Sequence, residues 1–307
     1  LGIIERAQNR GGHSLYCSLV YINASGLIQL HIAVLLFGIT ALFSKILPLN
    51  ALDITVLRCT VAFFVLGCIV KISRQALLLS QPKHYLIALG LGILVSLHWV
   101  TYFAAMQLSS VAIGMIAFFT YPVMTVLVEP LVNKTRLRFI DLLSGIAVLT
   151  GVFMLIPEPN FDNDVTLGIA VGVLSAALFT ARNLLHKKYF SEYSGPQAMF
   201  YQTLVAVLIL SPFLEVELTS ITLDIWLTIA ILGVFFTAAP HALFASSLRQ
   251  LSAKTASLVS CLQPFYGTVL AFILLNEQVN LNTIIGGMII LLTAIFETQQ
   301  NHKKNKA

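Results

Sequence analysis

All but three of the 18 lysines and arginines in this chain lie outside its apolar stretches, at the two ends and in every second connection between stretches. Ten apolar stretches can be read, at about 27–47, 52–70, 85–106, 110–132, 137–156, 166–186, 197–214, 223–247, 255–275 and 281–296. Most approach the roughly 20 residues with which a helix crosses about 30 Å of hydrocarbon. Arg6 and Arg10 precede the first stretch. Lys71, Arg74 and Lys83 follow the second, and Lys134, Arg136 and Arg138 the fourth, Arg138 being counted with this connection although it stands at the very start of the fifth. Lys187 and Lys188 follow the sixth, Arg249 and Lys254 the eighth, and Lys303, Lys304 and Lys306 stand in the tail. The other connections hold no Lys or Arg and are mostly acidic, with Asp53, Glu158, Asp162, Asp164, Glu215, Glu217, Asp224 and Glu277. Cytoplasmic loops collect Lys and Arg, so the pattern predicts an all-α membrane protein of ten transmembrane helices with both termini cytoplasmic.

Composition agrees: 58% of residues are hydrophobic and 10% charged, where a soluble domain carries about 25% charge. The spans use up the 307 residues and leave no room for a soluble catalytic or sensory domain. A net charge of +5 invites a nucleic-acid reading, but the cations mark a membrane face instead. Cys17, Cys59, Cys68 and Cys261 show no CxxC spacing and read as free small hydrophobes rather than as a disulfide or metal site. Residues 1–26 read as a cytoplasmic lead-in; Arg6 and Arg10 ahead of the run Leu15–Ile22 give only a faint signal-peptide pattern. Residues 298–307 form a basic cytoplasmic tail.

The chain also repeats itself at an offset near 142 residues. The segment from Phe37 to Lys45 matches Phe179 to Lys187, Leu57-Arg58 parallels Tyr201-Gln202, and His98 corresponds to His241. Leu108-Ser109 matches Leu251-Ser252, Pro122 matches Pro264, and Asn133-Lys134 matches Asn276-Glu277. Two units result, at 27–156 and 166–297, with five stretches each. Five is odd, so the second unit enters from the opposite side and the repeats are inverted. Carriers built this way bind substrate between the repeats, beside interrupted helices at corresponding positions. Pro122 and Pro264 fit that description and are candidate gating residues.

Assembled, these residues resemble the EamA branch of the drug/metabolite transporter superfamily over about 27–297. The resemblance rests on Phe37-Gly38 and Lys45 in span 1 and Arg58 in span 2. It rests also on the small-residue openings Ser109–Gly114 and Ser252–Ser257 leading to Tyr121-Pro122 and Gln263-Pro264, and on Glu277 after span 9. The chain departs from the pattern at Lys134, where the first half usually has Glu, and at Phe37, where Trp is usual. The resemblance implies a central cavity framed by spans 1, 3, 4, 6, 8 and 9, with spans 5 and 10 peripheral.

Three cations remain inside spans: Lys45, Arg58 and Arg182. A charge at bilayer depth must snorkel, pair or face a wet cavity. Lys45 is near enough to a span end to snorkel, and Arg58, five residues past Asp53, reads as a clasp between outer helix ends. Arg182, beside Asn183 in a cavity-framing span, reads as a bidentate binder of a carboxylate or phosphate. His98 and His241 occupy inversion-related positions and titrate within reach of physiological proton gradients, which makes them candidate proton carriers. Pro240 next to His241 should kink span 8 and joins the gating candidates. Trp99 and Tyr102 share a face with His98, Phe118 and Tyr121 flank Pro122, and Gln263 and Tyr266 flank Pro264. These ten residues (His98, Trp99, Tyr102, Phe118, Tyr121, Arg182, Asn183, His241, Gln263 and Tyr266) are the predicted substrate contacts. Gly286-Gly287, Ala147, Gly151, Gly168 and Gly172 read as tight packing within the bundle rather than a dimer seam, leaving a monomer or weak homodimer.

No His-Glu-x-x-His, Gly-x-Ser-x-Gly or P-loop segment is present, which argues against an intramembrane enzyme or a primary pump. A receptor or scaffold would leave the repeat unexplained. The reading is therefore a secondary-active carrier in a bacterial inner (plasma) membrane, working without cofactor or metal. Its partners are a small-molecule metabolite and the lipid bilayer. It exports or exchanges an amino acid or similar metabolite; the alternative is import of a larger compound such as a vitamin or nucleotide derivative.

Overall fold

The structure is a computed structural model that describes residues 26–134, 136–137, 139–156, 162–248 and 259–304. The N-terminal lead-in with Cys17, the cations Arg249 and Lys254, and the small-residue opening Ser252–Ser257 lie outside these residues. Within them the secondary structure is helical, with no strand.

Helix α1 covers Gly26–Ile46, and α2 runs Ala51–Ile72 from an Asn50 cap that accepts the Asp53 N–H at 2.8 Å. Helix α3, Pro82–Leu108, starts with proline, which the first turn tolerates because its N–H would have no intrahelical partner. Helix α4 is Val111–Phe118, and after the two turn residues Phe119 and Thr120 comes α5, Tyr121–Asn133. Helix α6 is Phe139–Leu155, α7 Asp164–Tyr189 and α8 Gly195–Leu210. Helix α9, Leu223–Gly233, widens into one π turn, Val234–Ala238, before α10, Ala239–Leu248. Helices α11, Gln263–Leu275, and α12, Leu281–Lys304, complete the order.

Seven helices among the described residues are long and apolar enough to cross a membrane, counting α4–α5 and α9–α10 as one each; α6, α11 and Leu281–Phe296 are shorter apolar helices. Polarity is inverted relative to a soluble domain. Phe153 and Leu149 on α6 are each 70% exposed, while Gln202, Thr203 and Ser175 are fully buried. Lipid rather than water suits such an exterior, and the chain is a multi-pass membrane protein.

Side chains tie the loops together in two groups. In one, the Asp53 carboxylate accepts the N–H groups of Glu215 and Val216 at 3.0 and 3.1 Å, and Glu277 accepts those of Val111 and Ala112 at the start of α4 at 2.9 and 3.3 Å. Lys45 belongs there too: its ammonium donates to the carbonyls of Gln107 and Ser109, both at 3.1 Å, neutralising the negative C-terminal end of α3. In the other group, the Tyr193 hydroxyl meets Ser80 and His84, Gln197 donates to the Ala76 carbonyl, and Lys187 pairs with Glu129. The first group joins connections that lack Lys and Arg; the second joins connections that carry them.

Backbone geometry repeats with the sequence. Helices α5 and α11 both begin after two turn residues, Phe119–Thr120 and Cys261–Leu262, and carry Pro122 and Pro264 as their second residue. Both end on a left-handed cap, Lys134 at φ 54° and Asn276 at φ 55°. The caps pair Lys134 with Asn276 at the offset of the prolines, one residue away from the sequence pairing with Glu277.

Candidate functional site

A cavity of about 100 Å³ lies where α1, α2, α3, α4, α7, the π turn, α10 and the start of α11 converge. Phe37 and Thr40 enter from α1, and Arg58 from α2. His98, Trp99, Tyr102 and Phe103 come from α3, Phe118 from α4 and Phe179 from α7. Phe236, His241 and Gln263 close the opposite side. Helices α6 and α12 contribute nothing to it and pack against each other. Two pairs related by the sequence repeat, Phe37 with Phe179 and His98 with His241, face this one space.

The wall is mostly aromatic. Phe118 stacks on Tyr121 at 5.1 Å between centroids and 26° between planes, and meets Tyr102 edge-on at 5.2 Å. The His98 ring lies 4.8 Å from Phe179 and 5.1 Å from Phe118, while His241 meets Phe37 edge-on at 4.9 Å. These interlocked rings fix one another's orientation, each good pair contributing about 0.5–1.5 kcal/mol beyond burial.

Both imidazoles are held by the same ring nitrogen. His241 Nδ1 lies 2.6 Å from the Thr237 carbonyl oxygen. A carbonyl can only accept, so Nδ1 carries the proton. His98 Nδ1 lies 2.8 Å from the Ser175 hydroxyl and 3.2 Å from its carbonyl, and that hydroxyl donates onward to the His98 carbonyl at 3.0 Å. Nδ1 again donates, and in each neutral ring Nε2 keeps its lone pair.

Proline chemistry shapes the other side. Pro240 has no N–H to give the Phe236 carbonyl four residues back. The Thr40 hydroxyl stands 2.8 Å from that oxygen and 2.8 Å from the Leu36 carbonyl, so the hydroxyl offers its one proton to both. In the π turn, Thr237 donates to Leu232 at 2.9 Å, and its hydroxyl oxygen accepts from Arg58 Nη1 at 3.2 Å.

Of the predicted substrate contacts, His98, Trp99, Tyr102, Phe118, His241 and Gln263 line the cavity. Tyr121 stands behind Phe118 and Phe179. Tyr266 turns its Cβ to Gly38 at the α1–α11 contact, where a Cβ on Gly38 would lie 3.1 Å away. Arg182 is held outside the lining: Nε donates to Gln202 at 2.8 Å, Nη1 to Asn183 at 2.9 Å, and Nη2 faces the Met199 sulfur at 3.4 Å. The guanidinium that reaches the cavity is that of Arg58, read from the sequence as a clasp for helix ends. Its expected neighbour Asp53 is occupied by backbone N–H groups instead. No group of three or more His, Cys, Asp or Glu suited to a metal occurs among the described residues.

A lipid-facing helical bundle around an aromatic cavity with a few buried polar groups suits a polytopic membrane protein of the transporter type. The chain belongs to the EamA-like transporter family, whose sequence profile matches residues 24–156 and again 166–298. It is 27% identical to an uncharacterized transporter, YxxF, of Bacillus subtilis over 80% of this chain and 81% of that protein. It is 24% identical to an uncharacterized transporter of Archaeoglobus fulgidus over 85% of this chain and 91% of the relative. A solved structure, described only as the crystal structure of a protein, shares the fold with a TM-score of 0.63 at 17% identity, covering 91% of this chain and 98% of that one.

Proposed function

We propose that this protein is a secondary-active carrier that moves a small organic metabolite, an amino acid or similar compound, by alternating access, as an exporter or exchanger. One observation carries the reading: two histidines at repeat-related positions and an arginine face one cavity, bordered by two helices that break at repeat-related prolines. Breaks at Phe119–Thr120 and Cys261–Leu262 give the two halves matching hinges, and an inverted repeat lets them exchange roles as the cavity opens to either side. In this reading the ten apolar stretches cross the bilayer as two inverted sets of five, and Pro122, Pro264 and Pro240 serve the gate. His98 and His241 carry the coupled proton.

Flux tests the reading directly. Purified protein in sealed vesicles should exchange radiolabelled metabolites from a cell extract, and Pro122→Ala or Pro264→Ala should slow that exchange at equal protein level. Each proline leaves a turn in which the helix cannot continue regularly, so alanine restores a bond that opposes hinge motion. No exchange of any labelled compound by the wild type rejects the carrier; wild-type rates in both variants reject the hinge.

We place both termini on the cytoplasmic side of a bacterial inner (plasma) membrane, from the loop cations. Single cysteines at Asn163 and Thr219 should react with an impermeant thiol reagent added outside whole cells, and ones at Ser73 and Ser191 should not. The reverse pattern inverts the orientation.

A further inference from the structure

Among the described residues, Arg58 is the charged group of the cavity whose hydrogen bonds are left incomplete. Arg58 is 2% exposed, and its Nε and Nη2 make no hydrogen bond there. Its third nitrogen is fixed, Nη1 donating to Thr237 at 3.2 Å. Its guanidinium carbon lies over two rings, 4.7 Å from the Trp99 ring centroid and 4.9 Å from that of Phe103. The unpartnered Nε–Nη2 edge carries two parallel N–H groups, the spacing that a carboxylate accepts with both oxygens.

Charge leads to the same place. No carboxylate lines the cavity among the described residues. A buried cation with no counter-ion is costly, and burial alone gives it no compensation. The rest of the wall is suited to a flat apolar body, since Phe37, Tyr102, Phe118, Phe179 and Phe236 present ring surface. The matching second-half position holds Gln202, which is turned to Arg182, so the anion site is confined to one half of the repeat.

We infer that Arg58 binds the carboxylate of the transported metabolite through its Nε–Nη2 edge, and that the substrate is an organic carboxylate with a flat apolar body. The inference rests on the carrier reading and names the substrate class of that same cavity. Arg58 is thereby a recognition residue, and Thr237 and Trp99 hold its guanidinium in register.

Equilibrium binding tests this without any transport, so its failure and the failure of the carrier reading are separable. Three probes share one skeleton and differ in charge: 3-phenylpropionate, 3-phenylpropanol and 3-phenylpropylamine. Each is measured against the purified full chain in lipid nanodiscs. The wild type should bind the carboxylate saturably and at least about tenfold more tightly than the alcohol or the amine. Arg58→Gln should weaken the carboxylate roughly 10- to 100-fold, and Arg58→Lys about tenfold, because an ammonium cannot make the paired contact. Lys187→Gln, a charge loss on the exposed ion pair with Glu129, should change nothing. The inference is overturned if the wild type binds the three probes equally, if it does not bind the carboxylate at all, or if folded Arg58→Gln binds it as well as the wild type does. Carboxylate binding without flux in vesicles would leave the site standing and remove the carrier.

Discussion

Replacing Gly286 with leucine is expected to unfold the α6–α12 pair, lowering stability by about 3 kcal/mol or more. A Cβ built at Gly286 lies 2.6 Å from the Gly151 carbonyl oxygen, and one at Gly151 lies 2.9 Å from the Gly286 oxygen. Each glycine thus meets the other's backbone, which cannot swing aside as a side chain could. Ile290 and Ala294, one and two turns further along α12, are fully buried, so a shift propagates along the packed seam. Even alanine should be harmful there, whereas Gly90→Ala on α3 meets nothing within 4 Å and should gain about 0.5–1 kcal/mol from helix propensity. Thermal unfolding in detergent, followed by tryptophan fluorescence, reads all three. A stable, monodisperse Gly286→Leu would show that the α6–α12 contact does not hold the bundle together.

This contact also shows what the sequence could and could not convey. Small residues in the fifth and tenth stretches announced close helix approach, since only they let backbones touch, but not which helix each would meet. Gly286 faces α6, while its neighbour Gly287 faces Ile116 of α4, so both are consumed inside one chain. The helical membrane class was legible from apolar stretches and from cations in alternate loops. Six cavity-lining residues were legible because the repeat singles out histidines and prolines in apolar surroundings.

The two arginines exchanged places for a reason no linear pattern exposes. Arg58 and Asp53 are five residues apart on α2, a spacing that suggests proximity, yet the Asp53 carboxylate is taken up by the N–H groups of Glu215 and Val216. Arg182 has a polar neighbour in sequence, Asn183, and that residue occupies it rather than cooperating with it. Phe37, Thr40, Phe103, Phe179 and Phe236 were missed as lining residues because a phenylalanine or threonine in an apolar helix carries no mark of the face it presents. For Phe37 and Phe179 the repeat itself was the usable signal, since they are the paired first residues of the matched segments.

Transport driven by a pH gradient is expected to collapse in His98→Gln and in His241→Gln, while downhill exchange of substrate survives. One pH unit supplies about 1.4 kcal/mol per proton, so a carrier moving one proton with each substrate concentrates that substrate about tenfold. A variant that cannot titrate should reach a ratio of about one, because glutamine keeps hydrogen-bonding capacity but takes up no proton near neutral pH. Each ring uses Nδ1 to hold its place, on Ser175 for His98 and on Thr237 for His241, which leaves the lone pair of Nε2 to receive a proton in the cavity. Arg58 and Arg182 are the cations acting on both rings, and Tyr102, Phe118, Phe179, Phe37 and Trp99 pack around them. On the proposed reading, proton and anionic substrate would meet in one small space, where a carboxylate on Arg58 would offset the charge of a protonated imidazole. Arg58→Gln provides the contrast, since it should weaken carboxylate binding while exchange of a neutral analogue continues. Full pH-driven accumulation in both histidine variants would make the rings packing residues and the carrier a facilitator.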